Sequence, residues 1–176
     1  MFEQLLNSTD DMLGQLEELI SSLDEESFCR PLDVLQKASV GEHLRHSLEF
    51  FVAYLGGLQA GEVCYDRRKR DPRLQTEPDF AIETIGEIRE GLRKIDPENG
   101  DESINLDVEW LEGPGPIRST LARELHYIQD HLLHHSALIK VGIFHGLENP
   151  TVRQIRDMEK FGVAPSTLAY QASAGN

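Results

Sequence analysis

With 176 residues, a formal charge of -14 and a pI near 4.8, the chain is long enough for one domain with a sizeable core. It is too acidic to suit nucleic-acid phosphates or an anionic membrane surface. The opening MFEQLLNSTDDM has acidic and amide residues where a secretory signal needs a basic region and an apolar core, and no apolar run approaches the ~20 residues of a membrane span, so the expected setting is the cytoplasm.

The first element is an amphipathic helix over 2–22, where Phe2, Leu5, Leu6, Met12, Leu13, Leu16, Leu19 and Ile20 recur at intervals of three and four. Asp24 to Ala38 reads as a connection: Pro31 stops a helix, and Val34 and Leu35 are placed to pack inward. Ser39 with Glu42 makes a capping-box pattern that opens a second helix running to about Leu58, which Gly56, Gly57 and Gly61 weaken. Cys29 and Cys64 sit outside any CxxC pattern and read as reduced thiols.

Residues 61–79 form a polar connection with a cationic run, Arg67, Arg68, Lys69 and Arg70, read either as a loop paired with nearby acids or as an anion site. A third helix runs from about Asp79, as N-cap, to Ile95, before Asp96-Pro97. Between 98 and 118, Ile104, Leu106, Val108 and Trp110 alternate with polar residues and GPGP signals a turn. With no partner strand of similar quality, this extended segment is expected to lie across the helices rather than start a sheet.

A long helix then opens at Arg118 or Ser119 and runs to about Phe144. A short helix over Thr151 to Lys160 and a C-terminal extension follow, all within a single domain spanning 1–176.

That long helix holds four of the seven histidines, His126, His131, His134 and His135. His131 and His135 lie at i and i+4, within or beside the apolar stripe of Leu125, Ile128, Leu132 and Ile139; His126 and His134 fall on the polar side. Two imidazoles so spaced can share one ion, and they can equally be two hydrogen-bonded core histidines. The second helix offers His43 and His46, between which periodicity does not choose. Glu124, on the His131 side, reads either as an acceptor or base near an imidazole or as a carboxylate at the favourable end of the helix dipole. Tyr54 and Tyr127 read either as hydrogen-bonding groups in the cavity or as core edges with solvated hydroxyls.

The four long amphipathic helices, with SVGEHLRH at 39–46 and DHLLHHSALI at 130–139, resemble the DinB-like (YfiT-like) superfamily. The resemblance implies an all-α four-helix bundle with a short extended segment before the last bundle helix. It implies a single divalent metal on His46, His131 and His135, and a homodimer. It also implies a metal-dependent enzyme acting on a small-molecule substrate, either a hydrolase or a transferase using a low-molecular-weight thiol such as bacillithiol or mycothiol. Ala137 and Leu138 replace the Gly and Gln that often follow the last histidine in that family.

Three neutral imidazoles suit zinc, nickel, copper or ferrous iron and leave the ion strongly Lewis-acidic. The sequence contains no HExxH, no GxSxG, no phosphate-binding glycine loop and no paired Glu-x-x-His. The contrasting reading is a non-catalytic helical bundle that binds metal, or is stabilised by it, and acts through partners.

Overall fold

The computed structural model describes residues 1–113, 115–147 and 158–174. Its first helix, α1 (Phe2–Ser21), buries Phe2, Leu6, Leu13, Leu16, Leu19 and Ile20 along one stripe. The connection after it contains a short helix, α2 (Glu25–Cys29), capped by the Asp24 carboxylate accepting from Ser27 N at 2.7 Å. A 3-10 turn at Asp33–Leu35 follows, burying Leu35 and leaving Val34 exposed.

Helix α3 (Val40–Leu58) starts at the expected capping box. Ser39 Oγ accepts from Glu42 N at 3.1 Å, and Glu42 Oε2 accepts from Ser39 N at 2.9 Å, so two otherwise orphaned donors are satisfied reciprocally. A two-residue strand, β1 (Glu62–Val63), and a single-turn helix, α4 (Arg73–Thr76), occupy the polar connection.

Helix α5 (Pro78–Arg93) begins one residue before the expected cap, its actual N-cap being Glu77. Pro78, with its preset φ and no N–H to orphan, takes the first helical position and leaves Asp79 in the first turn. After β2 (Ser103–Leu106) and β3 (Ile117–Thr120) comes the longest helix, α6 (Leu121–Gly146), capped by Thr120 Oγ1 accepting from Arg123 N at 3.2 Å. The sequence placed this start at residue 118 or 119; the chain stays extended through Thr120 because β3 is paired. A helix not expected from the sequence, α7 (Pro165–Ala174), lies near the C-terminus. Most of the helix expected at Thr151 to Lys160 falls on 151–157, outside the described residues.

The protein is mostly helical with a small sheet. Helix α1 packs on α5 and α6, and α3 packs on the same two. Leu13 and Leu16 of α1, Leu44, Leu48 and Phe51 of α3, Ile85 of α5, and Leu125 and Ile128 of α6 are essentially excluded from solvent. Polar contacts fix the register of α1. Arg89 binds Asp10 at 2.9 Å and Glu17 at 2.7 Å, which holds the Asp10 carboxyl below its usual range, and Gln129 donates to the Thr9 hydroxyl at 3.1 Å inside the core.

The expectation of an isolated extended segment is corrected. Strand β2 pairs in parallel with β1 and antiparallel with β3, Ile104 facing Ser119. The partners are short and buried at few positions, so neither has the period-two pattern by which a strand is recognised.

Gly57 marks where this sheet meets α3. A Cβ there would lie 2.5 Å from the Glu62 carbonyl oxygen and 2.6 Å from Val63 Cγ2, whereas one at Gly56 would meet nothing within 4 Å. Gly56→Ala is therefore expected to stabilise by up to ~1 kcal/mol through helix propensity. Gly57→Ala is expected to cost roughly 1–3 kcal/mol by forcing α3 from β1. Urea unfolding of the two variants measures both, and stabilisation by both would show that β1 is not seated on α3.

Candidate metal centre

The site grows out of the contact between α3 and α6. The spacing of four places His131 and His135 one above the other on α6, and a spacing of three sets His43 and His46 on one side of α3, so four imidazoles meet in one seam. Candidate ligand nitrogens of His46, His131 and His135 all lie within 4.8 Å of one another. Ring centroids are 4.8 Å apart for His46 and His131, 4.8 Å for His46 and His135, and 4.6 Å for His131 and His135. This group could hold a metal ion. Nitrogens around tetrahedral zinc stand roughly 3.3 Å apart at ordinary bond lengths, so binding requires the rings to rotate inward.

Burial keeps the site neutral. Desolvation pushes His131 down to about 4 and His135 to about 3, with neighbouring histidines adding to both shifts. His46 is lowered by burial and then by Arg68, and His43 is lowered chiefly by burial. Neutral imidazole is the form that binds metal.

Hydrogen bonds sort the ring nitrogens. His135 Nδ1 lies 2.9 Å from His43 Nδ1, so one of the two donates and His135 Nε2 is left over. His131 Nε2 is buried without any hydrogen-bond partner, and so is His43 Nε2. An orphaned, desolvated imidazole nitrogen is costly unless something binds it, and at His131 it belongs to the group of three. The donor set therefore fits a metal ion.

His46 is held differently. Arg68 Nη2 lies 3.2 Å from His46 Nδ1, and because guanidinium only donates, this nitrogen accepts and the ring proton sits on Nε2. An ion at Nδ1 would displace Arg68; an ion at Nε2 would need the proton moved to Nδ1, facing an Arg68 N–H. Either way, metal and Arg68 compete for His46.

Arg68 is braced for its position. Its Nε donates to Glu49 Oε2 at 3.2 Å, its Nη1 to the Tyr65 carbonyl at 2.8 Å, and its guanidinium lies 4.8 Å from the Phe50 ring centroid. Phe50 in turn stacks on His131 at 4.3 Å. Glu49 is only 2% exposed and also accepts from Asp71 N at 3.1 Å.

The cationic run thus divides. Arg67 pairs with Glu62, Asp107 and Glu109, as a solvated loop would, while Arg68 turns into the histidine seam. Arg70 acts on His46 only through its charge. His43 stands beside the group of three, on His135. His126 and His134 are exposed, His126 lying 3.9 Å from Asp130.

Of the two readings of Glu124, the structure keeps the carboxylate in the first turn of α6, at the favourable end of the dipole, and not the acceptor beside an imidazole. Among the described residues it bonds no histidine; it is 3% exposed and accepts from Tyr65 Oη at 2.9 Å and Ser119 Oγ at 2.6 Å. Tyr54 is buried rather than at a wet edge, donating to the Leu121 carbonyl at 3.1 Å, whereas Tyr127 is exposed. Sequence reasoning missed Glu49, which the wheel places on the polar side of α3. The arginine run of the following connection was the available signal that a carboxylate there would be covered.

No protein-family model matches the chain, and no curated protein matches it. Among the described residues no helix is long and apolar enough to cross a membrane.

Zinc titration of the apo protein tests this geometry. His46→Ala, His131→Ala and His135→Ala are each expected to weaken zinc binding by more than about 100-fold, beyond the loss typical of a supporting residue, with His126→Ala and His134→Ala close to wild type. Arg68→Gln, which removes the competitor and can accept from a protonated Nδ1, is expected to tighten binding roughly tenfold. Weaker binding by Arg68→Gln would instead make Arg68 a support of the His46 ring.

Proposed function

We propose that this protein is a metal-dependent enzyme of the DinB-like kind, holding a divalent transition metal on His46, His131 and His135. Its small-molecule substrate undergoes hydrolysis or transfer to a low-molecular-weight thiol. The observation that carries this reading is the buried, unpartnered Nε2 of His131 beside two further imidazoles contributed by a second helix and the next turn. A bound ion would supply Lewis acidity, lowering the pKa of a water or thiol at neutral pH. The histidines contribute neutral donors and no compensating charge. Arg68, once released from His46, remains tethered to Glu49 and offers a cation beside the site for an anionic substrate or thiolate. A DinB-type four-helix bundle, a homodimer and a cytoplasmic setting belong to the same proposal.

A second reading, a non-catalytic metal-stabilised bundle, is favoured by one feature. The two buried carboxylates nearest this chemistry are occupied, Glu49 by Arg68 and Glu124 by two hydroxyls, so among the described residues no carboxylate hydrogen-bonds the three histidines.

Screening zinc-, nickel- and iron-loaded protein against esters, amides and thiol-plus-electrophile pairs separates the readings. The enzyme reading expects turnover in one panel that is lost in His131→Ala and in chelated protein. Uniform inactivity, with the metal only raising the melting temperature, would establish the second reading instead.

A further inference from the structure

A cavity of about 300 Å³ opens beside the histidine seam between α3, α6 and the segment that follows β2. Four aromatic residues line it: Phe50, Tyr65, Tyr127 and Trp110. Phe50 and Tyr65 stack at 5.0 Å with only 14° between their planes, and Tyr127 is inclined at 48° to Tyr65 with centroids 5.5 Å apart. These rings make two walls meeting at a corner. Trp110 is 74% exposed, an apolar surface that the fold leaves in water.

The charge on this lining is unusual. Asp66, Asp107 and Glu124 contribute carboxylates, against a single basic residue, Arg123. Asp107 is neutralised by Arg67 at 2.6 Å, but among the described residues Asp66 accepts only a backbone N–H, from Glu109 at 3.1 Å. Glu124 is the more telling group. It is 3% exposed, both its contacts are hydroxyls that donate to it, and among the described residues it forms no ion pair. A buried carboxylate held as an acceptor without a counter-cation is costly. Arg123 makes no side-chain hydrogen bond among the described residues and is exposed.

We infer that this cavity is a binding site for a small organic cation with an apolar body, of the alkylammonium class, whose charge sits against the Tyr65, Tyr127 and Trp110 rings and within the field of Glu124 and Asp66. Aromatic faces attract such a cation through their quadrupoles, most strongly when it is desolvated. The -14 net charge of the chain favours its approach. A carboxylate-bearing ligand of the same shape would meet Glu124 and Asp66 with like charge. The site is separate from the metal reading: no histidine lines the cavity, and Phe50, which does, stacks on both Tyr65 and His131.

Choline, its uncharged carbon isostere 3,3-dimethyl-1-butanol and the anion 3,3-dimethylbutyrate share one shape and differ in charge, and Trp110 is the only tryptophan in the chain. Titrating each into the full chain, followed by tryptophan fluorescence and calorimetry, should give saturable binding of choline, at least tenfold weaker binding of the alcohol, and none of the anion. Tyr127→Ala and Trp110→Ala, both exposed positions that leave the core intact, should each weaken choline roughly tenfold by calorimetry. Glu124→Gln should weaken it further, and Arg123→Ala should strengthen it. Equal affinity for choline and the alcohol, or preference for the anion, would overturn the proposal, as would unchanged choline binding in both aromatic variants.

Discussion

Desolvation of imidazoles where α3 meets α6 is the constraint on which the site depends. Apolar stripes drive these helices together, Leu44, Leu48 and Phe51 of α3 and Leu125, Ile128 and Leu132 of α6 all being buried where the two pack. His43, His46, His131 and His135 are carried into the seam by that packing. There they lose water faster than they find hydrogen-bond partners, and two of their nitrogens are left with none. Burial makes the rings poor bases, and a ring that is a poor base but retains a free lone pair at neutral pH is suited to a cation other than a proton.

The connection between α3 and α5 governs this chemistry as much as the helices do. Arg68 brings a fixed positive charge to a group of neutral rings and is held by the buried Glu49, which also accepts from Asp71 N of the same connection. A charge-assisted pair of this kind is strongly directional, so the histidines face an organised neighbour. Arg68 therefore sets both the tautomer of His46 and the electrostatic character of the seam. Phe50 links the regions: the Arg68 guanidinium lies over its ring, and the ring stacks on His131 and on Tyr65 of the aromatic cavity.

The helices were legible in the sequence because their information is local. The stripe of α1, the Ser39–Glu42 capping box and the i,i+4 spacing of His131 and His135 are patterns within one turn or one face. The choice between His43 and His46 was not legible from periodicity, since a wheel gives direction around α3 and not the height at which α6 crosses it; the crossing brings His46 to the pair and sets His43 on His135 alone. The sheet escaped notice because β1 has two residues and β3 buries little. The fates of Arg68, Glu49 and Glu124 depend on contacts across 19 and 59 residues of chain, for which no local pattern exists. Even so, the run of arginines in an acidic protein was a sign that one of them had an interior task.

X-ray absorption of the protein loaded with one equivalent of zinc tests the central claim most directly, because it counts imidazoles whatever reaction the protein performs. Three nitrogen ligands at about 2.0–2.1 Å with the outer-shell scattering of imidazole rings are the predicted result, falling to two in His46→Ala. A first shell of oxygens without imidazole scattering, or a spectrum unchanged by His46→Ala, would contradict the assignment of the α3–α6 seam as a metal centre.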